Sequence, residues 1–272
     1  MTDPFQEALG ADQNGVLMSA GCKTEYFLVK DLADSFNETG PLSVVPKKTG
    51  NKVAIKLLEA GKIHFAFTCK PMEALLENIS VAKEQADHWT SRIIASDPIV
   101  VLVHRDNPVK SLSLEQIHNI FTGKVNSWKE VGGEALEIQV AYLDLTANSG
   151  VLAVFKELVL GENKDGSLLV LKKDAVKVSS PENLGAIVSQ NKGAISFMGF
   201  ASYRERYGFL INVNDVVPSQ ETILNNSYPL MVNYYIISDQ RKSKELRPFF
   251  SFMESDEGKN ITNRNFIARP DK

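Results

Sequence analysis

The chain has 272 residues, 30 Lys and Arg against 33 Asp and Glu for a net charge of −3, and 43% hydrophobic and 23% charged residues. Such a chain can bury a core, which excludes a disordered polymer, and no basic run interleaved with aromatics makes it a general nucleic-acid binder. No apolar stretch reaches the ~18 residues of a membrane span, so no membrane insertion is expected, and the length exceeds the ~100–200 residues of one domain, so two lobes are.

The N-terminus "MTDPFQEALGADQNG" lacks the basic-then-apolar layout of a signal peptide. The protein is therefore cytosolic, or its export signal is not part of this sequence. Two cysteines are too few for a disulfide scaffold and have no metal-finger spacing, so their number leaves the compartment open and implies no metal.

Taken in chain order, short apolar strands alternate with helical patterns, the signature of βαβ units on a mostly parallel sheet. Gly15–Ala20 reads as the first strand, followed by a helix with Thr24 as N-cap and an apolar stripe of Phe27, Leu28, Leu32 and Phe36. "LSVVPKK" is the second strand, and "KVAIKLLEAGK" a helix stopped by Gly61. "KIHFAFTCKP" is the third, with Pro71 at the first helical position of the next helix. "SRIIASDPIVVLVH" is long enough to pass from one sheet into another. Ser113 and Gln116 offer a capping box before Ile117, Ile120 and Phe121. In "SSPENLGAIVSQNKG", Ser180 is the N-cap, Pro181 the first helical residue and Gly193 the stop, and "KGAISFMGF" is a strand. "NNSYPLMVNYYIIS" mirrors the earlier long run. The chain is thus expected to leave lobe I near Asp97 and return near Tyr228, giving residues 1–96 and 230–272 as lobe I and 97–229 as lobe II.

At "LSLEQIHNIFTGKVNSWKEVGG", Leu112 to Gly133, the sequence resembles the phosphate-binding-protein branch of the type II periplasmic solute-binding proteins. The matching landmarks run "Leu-Thr-x-x-Gln-Leu", "Ile-Phe-x-Gly-Lys", "Asn-Trp" and a Gly-Gly turn. "LLEAGKIHFAFTCKPM", "RDNPVKSLS", "NSGVLAVF", "KGAISFMGF", "YPLMVNYYI" and "PFFSFMESDEGKNI" follow in family order, so the resemblance covers roughly Gly15 to Pro270. It implies an α/β fold of two lobes, each a mixed, mostly parallel sheet flanked by helices. Two crossover strands would join lobes that close on a ligand by a hinge motion. It also implies a periplasmic or otherwise extracytoplasmic monomer that captures phosphate or a related oxyanion and presents it to an ABC permease, without a cofactor. A sensor domain of the same fold for a less charged ligand is the alternative.

Anions are well served at helix N-termini, where unpaired N–H groups and the positive end of the dipole converge. Four strand-to-helix turns qualify. They are Gly21-Cys22-Lys23-Thr24, Thr49-Gly50-Asn51-Lys52, Thr68-Cys69-Lys70 and Asn148-Ser149-Gly150. Thr24, Asn51, Thr68 and Ser149 are the expected ligating residues, with Lys23, Lys47, Lys48, Lys52 and Lys70 attracting the anion and Glu25 or Asp144 accepting a proton. The family's arginine before Ser-Gly-Thr is Leu145 here, that motif's Thr is Val151, the acidic residue of its "Asp-Ile-Ala" is His64, and the third turn's Arg and carboxylate correspond to Lys70 and Cys69.

Cys22 and Cys69 each follow a strand, and in this fold the first and third strands are neighbours, so the thiols should face each other. A disulfide, a pair of small polar wall residues in place of serine, or a pair gripping a soft ligand or metal all remain open. No Gly-x-Ser-x-Gly elbow, Walker loop or His-Glu-x-x-His is present, and His64, His88, His104 and His118 make no Cys-His motif. An enzyme is not expected, a cysteine-dependent redox protein being the remaining catalytic reading. Packing accounts for Trp128, Phe121, Phe155, Phe197 and Phe200.

Overall fold

The computed structural model describes residues 15–22, 25–143, 150–161 and 170–269. Its internal contacts divide the chain into two compact units, residues 1–96 with 233–272 and residues 97–232.

The first unit starts with β1 (Val16–Gly21), α1 (Tyr26–Thr39), β2 (Ser43–Lys48), α2 (Asn51–Glu59), β3 (Phe65–Thr68), α3 (Met72–Asn78) and α4 (Lys83–Ala86). β4 (Trp89–Val103) then runs unbroken through Asp97 and Pro98, from the first unit into the second. β1 pairs in parallel with β2 on one side and β3 on the other. Leu17 to Gly21 are all buried, as a central parallel strand covered on both faces requires. Pro46, which cannot donate to a ladder, lies in β2 at the sheet edge.

One face of this sheet packs Met18, Ala20 and Ala66 against Ile55 and Leu58 of α2, with Leu75 and Trp89. On α1 the buried residues are Leu28, Val29, Leu32, Ala33 and Phe36. Phe36 meets Phe249, which also stacks on Phe65 at 5.7 Å. Phe27, placed on the apolar stripe from sequence, is 40% exposed, because the buried face continues through Val29 instead. Thr24 lies outside the described residues, and the N-cap position of α1 is held by Glu25. Pro71 is the N-cap of α3 rather than its first helical residue.

The second unit adds β5 (Ser111–Leu112), α5 (Leu114–Phe121), β6 (Gln139–Leu143), α6 (Gly150–Phe155), β7 (Val176–Val178), α7 (Pro181–Gln190), β8 (Ala194–Gly199), β9 (Phe209–Leu210), β10 (Asn212–Val213) and α8 (Gln220–Leu224). Its sheet sets the second half of β4 antiparallel to β8, which runs parallel to β6, and β6 parallel to β7. The α5 capping box forms, with Gln116 N donating to Ser113 Oγ and Ser113 N to Gln116 Oε1. Ile117, Ile120 and Phe121 are fully buried behind it. Phe121 packs edge-on against Phe155 and Phe197, and those two rings stack at 3.7 Å. Helix α7 starts at Pro181 under the Ser180 cap but ends at Asn191, not at Gly193. Gly193 has a different reason: a Cβ there would lie 2.3 Å from the Glu137 carbonyl oxygen.

β11 (Met231–Asp239) returns the chain to the first unit and pairs antiparallel with β3. α9 (Ser243–Glu254), α10 (Asp256–Thr262) and β12 (Ile267–Ala268) complete that unit, β12 pairing with β4 at Ser96. No helix among the described residues is long and apolar enough to cross a membrane.

Candidate functional site

The register of the first unit brings three strand ends level, Gly21 standing opposite Lys48 on β2 and Phe67 on β3. Gly21 and Cys22 of the first predicted turn therefore meet the second and third turns at the carboxyl end of these parallel strands, where α/β folds hold ligands. Backbone hydrogen bonds tie them together. Thr49 N and Gly50 N both donate to Gly21 O, at 3.0 and 2.8 Å, and Cys22 N donates to Phe67 O at 3.0 Å. A Cβ on Gly21 would lie 1.9 Å from Phe67 O, so only glycine lets β1 and β3 come this close.

Gly50 turns the chain at φ +84° and starts α2 without a side-chain cap. The amides of Asn51, Lys52 and Val53 precede the first intrahelical bond, made by Ala54 N to Gly50 O. These N–H groups and the helix dipole give the turn a positive end. Asn51 Nδ2 donates to Cys69 Sγ at 3.6 Å, and Asn51 Oδ1 is buried without a partner among the described residues. In the third turn Thr68 Oγ1 donates to Lys70 O at 2.9 Å. Lys48 Nζ sits over the rings of Tyr26 and Phe27, 5.0 and 5.1 Å from their centres, Lys47 is half-buried, and Lys52 and Lys70 are exposed.

Both cysteines are thiols in this structure, Cys22 buried and Cys69 half-buried. They share a side-chain hydrogen bond, which with burial pushes the Cys69 thiol far above its ordinary range, against the opposing pull of Asn51. The disulfide left open from sequence is not formed. Glu25 lies nearby, wholly buried, with neither carboxyl oxygen hydrogen-bonded among the described residues. Burial, and after it the Cys22 thiol, hold this carboxyl well above the usual range, which favours its neutral form.

Sequence reasoning named Glu25 as a proton acceptor and missed its burial. The signal was there, since position 25 extends the buried stripe of 28, 29, 32, 33 and 36 back by one turn. Ser19, whose buried Oγ also lacks a partner among the described residues, was missed because its strand is buried on both faces. His64 stands at the opposite end of β3 from the thiols, accepting Met18 N on Nδ1 at 3.0 Å. Of the fourth turn, Asn148 and Ser149 lie outside the described residues, as do Lys23, Asp144 and Leu145. Gly150 opens α6 in the second unit.

A PBP superfamily domain model matches residues 7–257. The chain is 25% identical over 285 residues to protein SphX of Synechococcus elongatus, covering 99% of this chain and 81% of the relative. It is 23% identical to the phosphate-binding protein PstS of Staphylococcus epidermidis, covering 97% and 82%. Among solved structures, PstS from Borrelia burgdorferi superposes with a TM-score of 0.76 at 19% identity over 94% of this chain and 99% of that one. An ABC-type phosphate transport receptor from Vibrio cholerae does so with 0.69 at 23% identity over 92% and 99%. The chain belongs to the PBP superfamily, in its phosphate-binding-protein-like branch, and has the type II periplasmic-binding-protein fold.

Proposed function

We propose that the protein is a solute-binding receptor that captures a small oxyanion, phosphate or a close relative, and passes it to an ABC permease outside the cytoplasm. The observation that carries this reading is the uncapped start of α2, set among the turns after β1 and β3. The amides of Asn51 to Val53 supply hydrogen bonds and partial positive charge to an anion without needing a guanidinium. Asn51 and Thr68 are the ligating side chains in this unit, and the lysines on the turns raise the local anion concentration in a protein of net negative charge. The names of the relatives, phosphate-binding protein PstS and ABC-type phosphate transport receptor, support the same ligand class and a permease partner. The protein binds and releases its ligand unchanged.

Calorimetric titration with phosphate, arsenate and sulfate tests the reading. Saturable heat with at least one of them, weakened as ionic strength rises, is expected. Absence of heat and of any thermal shift with all three would refute it.

A further inference from the structure

We propose that Cys22 and Cys69 form a two-sulfur site for trivalent arsenic, taken up as arsenous acid, on the same turns that carry the function proposed above. Cys22 follows the end of β1 and its amide donates to Phe67 O at 3.0 Å, two residues before Cys69, so the two thiols stand side by side past the ends of neighbouring strands, where a single atom can bridge them. Cys69 is half-buried and gives a way in, while Cys22 lies buried behind it. Two further observations point to a ligand here. Glu25 is completely buried with both carboxyl oxygens unsatisfied among the described residues, and it lies within electrostatic reach of both sulfurs. Asn51, hydrogen-bonded to Cys69, keeps its own Oδ1 buried and unsatisfied among the described residues. Buried polar groups of this kind cost stability unless something completes them.

The donor set selects the ligand. Among the described residues no group of three or more His, Cys, Asp or Glu could hold a metal ion, so a cation needing three or four protein donors is not served. Trivalent arsenic needs two sulfurs and brings its own oxygen, and soft thiolates suit it better than hard oxygen donors. In the reaction two S–H and two As–O bonds break, while two As–S and two O–H bonds form. Two water molecules leave, and one hydroxyl stays on an arsenic that remains trivalent, so no oxidant or reductant is needed. The retained hydroxyl is an acceptor for the open amides of α2.

The test uses the full chain, purified and kept reduced, titrated with sodium arsenite. Native mass spectrometry reads arsenic per chain, and a thiol reagent reads the sulfhydryls left, with Cys22→Ser and Cys69→Ser measured alongside. One arsenic per chain and loss of both reactive thiols are expected, and because the second sulfur acts as an intramolecular ligand, either serine variant should bind at least ~100-fold more weakly. Wild type binding no better than Cys69→Ser, or two thiols still titrating at saturation, would overturn the proposal. The serine variants are near-isosteric, and their melting temperatures show whether they fold. A phosphate titration on the same samples separates the two readings. Heat with phosphate but no arsenic uptake sinks this inference and leaves the receptor; arsenic uptake without phosphate heat does the reverse.

Discussion

The amide of Cys22 donates to the carbonyl of Phe67 at 3.0 Å, holding the turn after β1 against the end of β3. That closeness depends on the residue before it. In Gly21→Ala the new methyl would meet Phe67 O at 1.9 Å and the Phe67 ring at 2.3 Å, so β1 and β3 must part. We expect a loss of about 1–3 kcal/mol, as in other overpacked sites, and a lower melting temperature. Oxyanion affinity should fall too, because the same movement separates Cys22 from the third turn. Thermal melts and calorimetry check the two effects together.

Glu25 makes the second prediction. Its folded-state pKa is raised above the ordinary carboxyl value of 4.5, so the folded chain holds a proton that the unfolded chain releases as pH increases. Its contribution to stability is complete below that value and is lost as pH rises towards the folded-state pKa. Glu25→Gln removes this titration while keeping the shape. The variant should melt higher than wild type at neutral and alkaline pH, with the difference vanishing near pH 4. A pH series of melting curves decides it, and equal slopes in the two proteins would refute the assignment.

How far this could be read in the sequence differs from element to element. The Ser113 capping box and the buried face of α5 follow from local spacing, and the adjacency of the first and third strands follows from the fold that the family resemblance implies. Local pattern misplaced Phe27, because in a helix buried on a wide face several stripes fit the same residues, and Val29 and Ala33 decide between them only once the sheet is in place. Gly193 fits a helix stop equally well as a close backbone approach, and only the nearness of Glu137 O tells them apart. At the site, the turns and thiols were legible because each follows a strand. The raised pKa of Glu25 was not, since burial is a sum over neighbours far apart in sequence.

His64 provides a pH effect of opposite sign. Burial first, and then the charge of Lys242, lower its pKa below the ordinary 6.5, so the folded protein keeps it neutral. Its contribution is complete above pH 6.5 and is lost as pH falls through the folded-state value. His64→Asn keeps an acceptor for Met18 N and should flatten the acid limb of the stability curve. His64→Ala loses the titration too but leaves a buried N–H unsatisfied, and should lie about 1–3 kcal/mol below His64→Asn at all pH values. Denaturant melts of both variants across the acid range separate the lost titration from the lost hydrogen bond.

Asn51→Asp tests the anion site. A carboxylate in the first turn of α2 gains from the helix dipole, but it loses the Nδ2 bond to Cys69 and sets charge on the buried Oδ1 position, so a lower melting temperature is expected. The same charge lies where the anion's oxygens would sit and replaces the Nδ2 donor that now faces Cys69. Losing a charge-assisted contact of roughly 1.5–3 kcal/mol weakens oxyanion binding at least about tenfold, and the repulsion adds to it. Lost calorimetric heat in a variant that still melts cooperatively above the titration temperature places the anion at the start of α2. Full affinity in Asn51→Asp would mean that the anion is held elsewhere, and the open amides of Asn51 to Val53 would need another explanation.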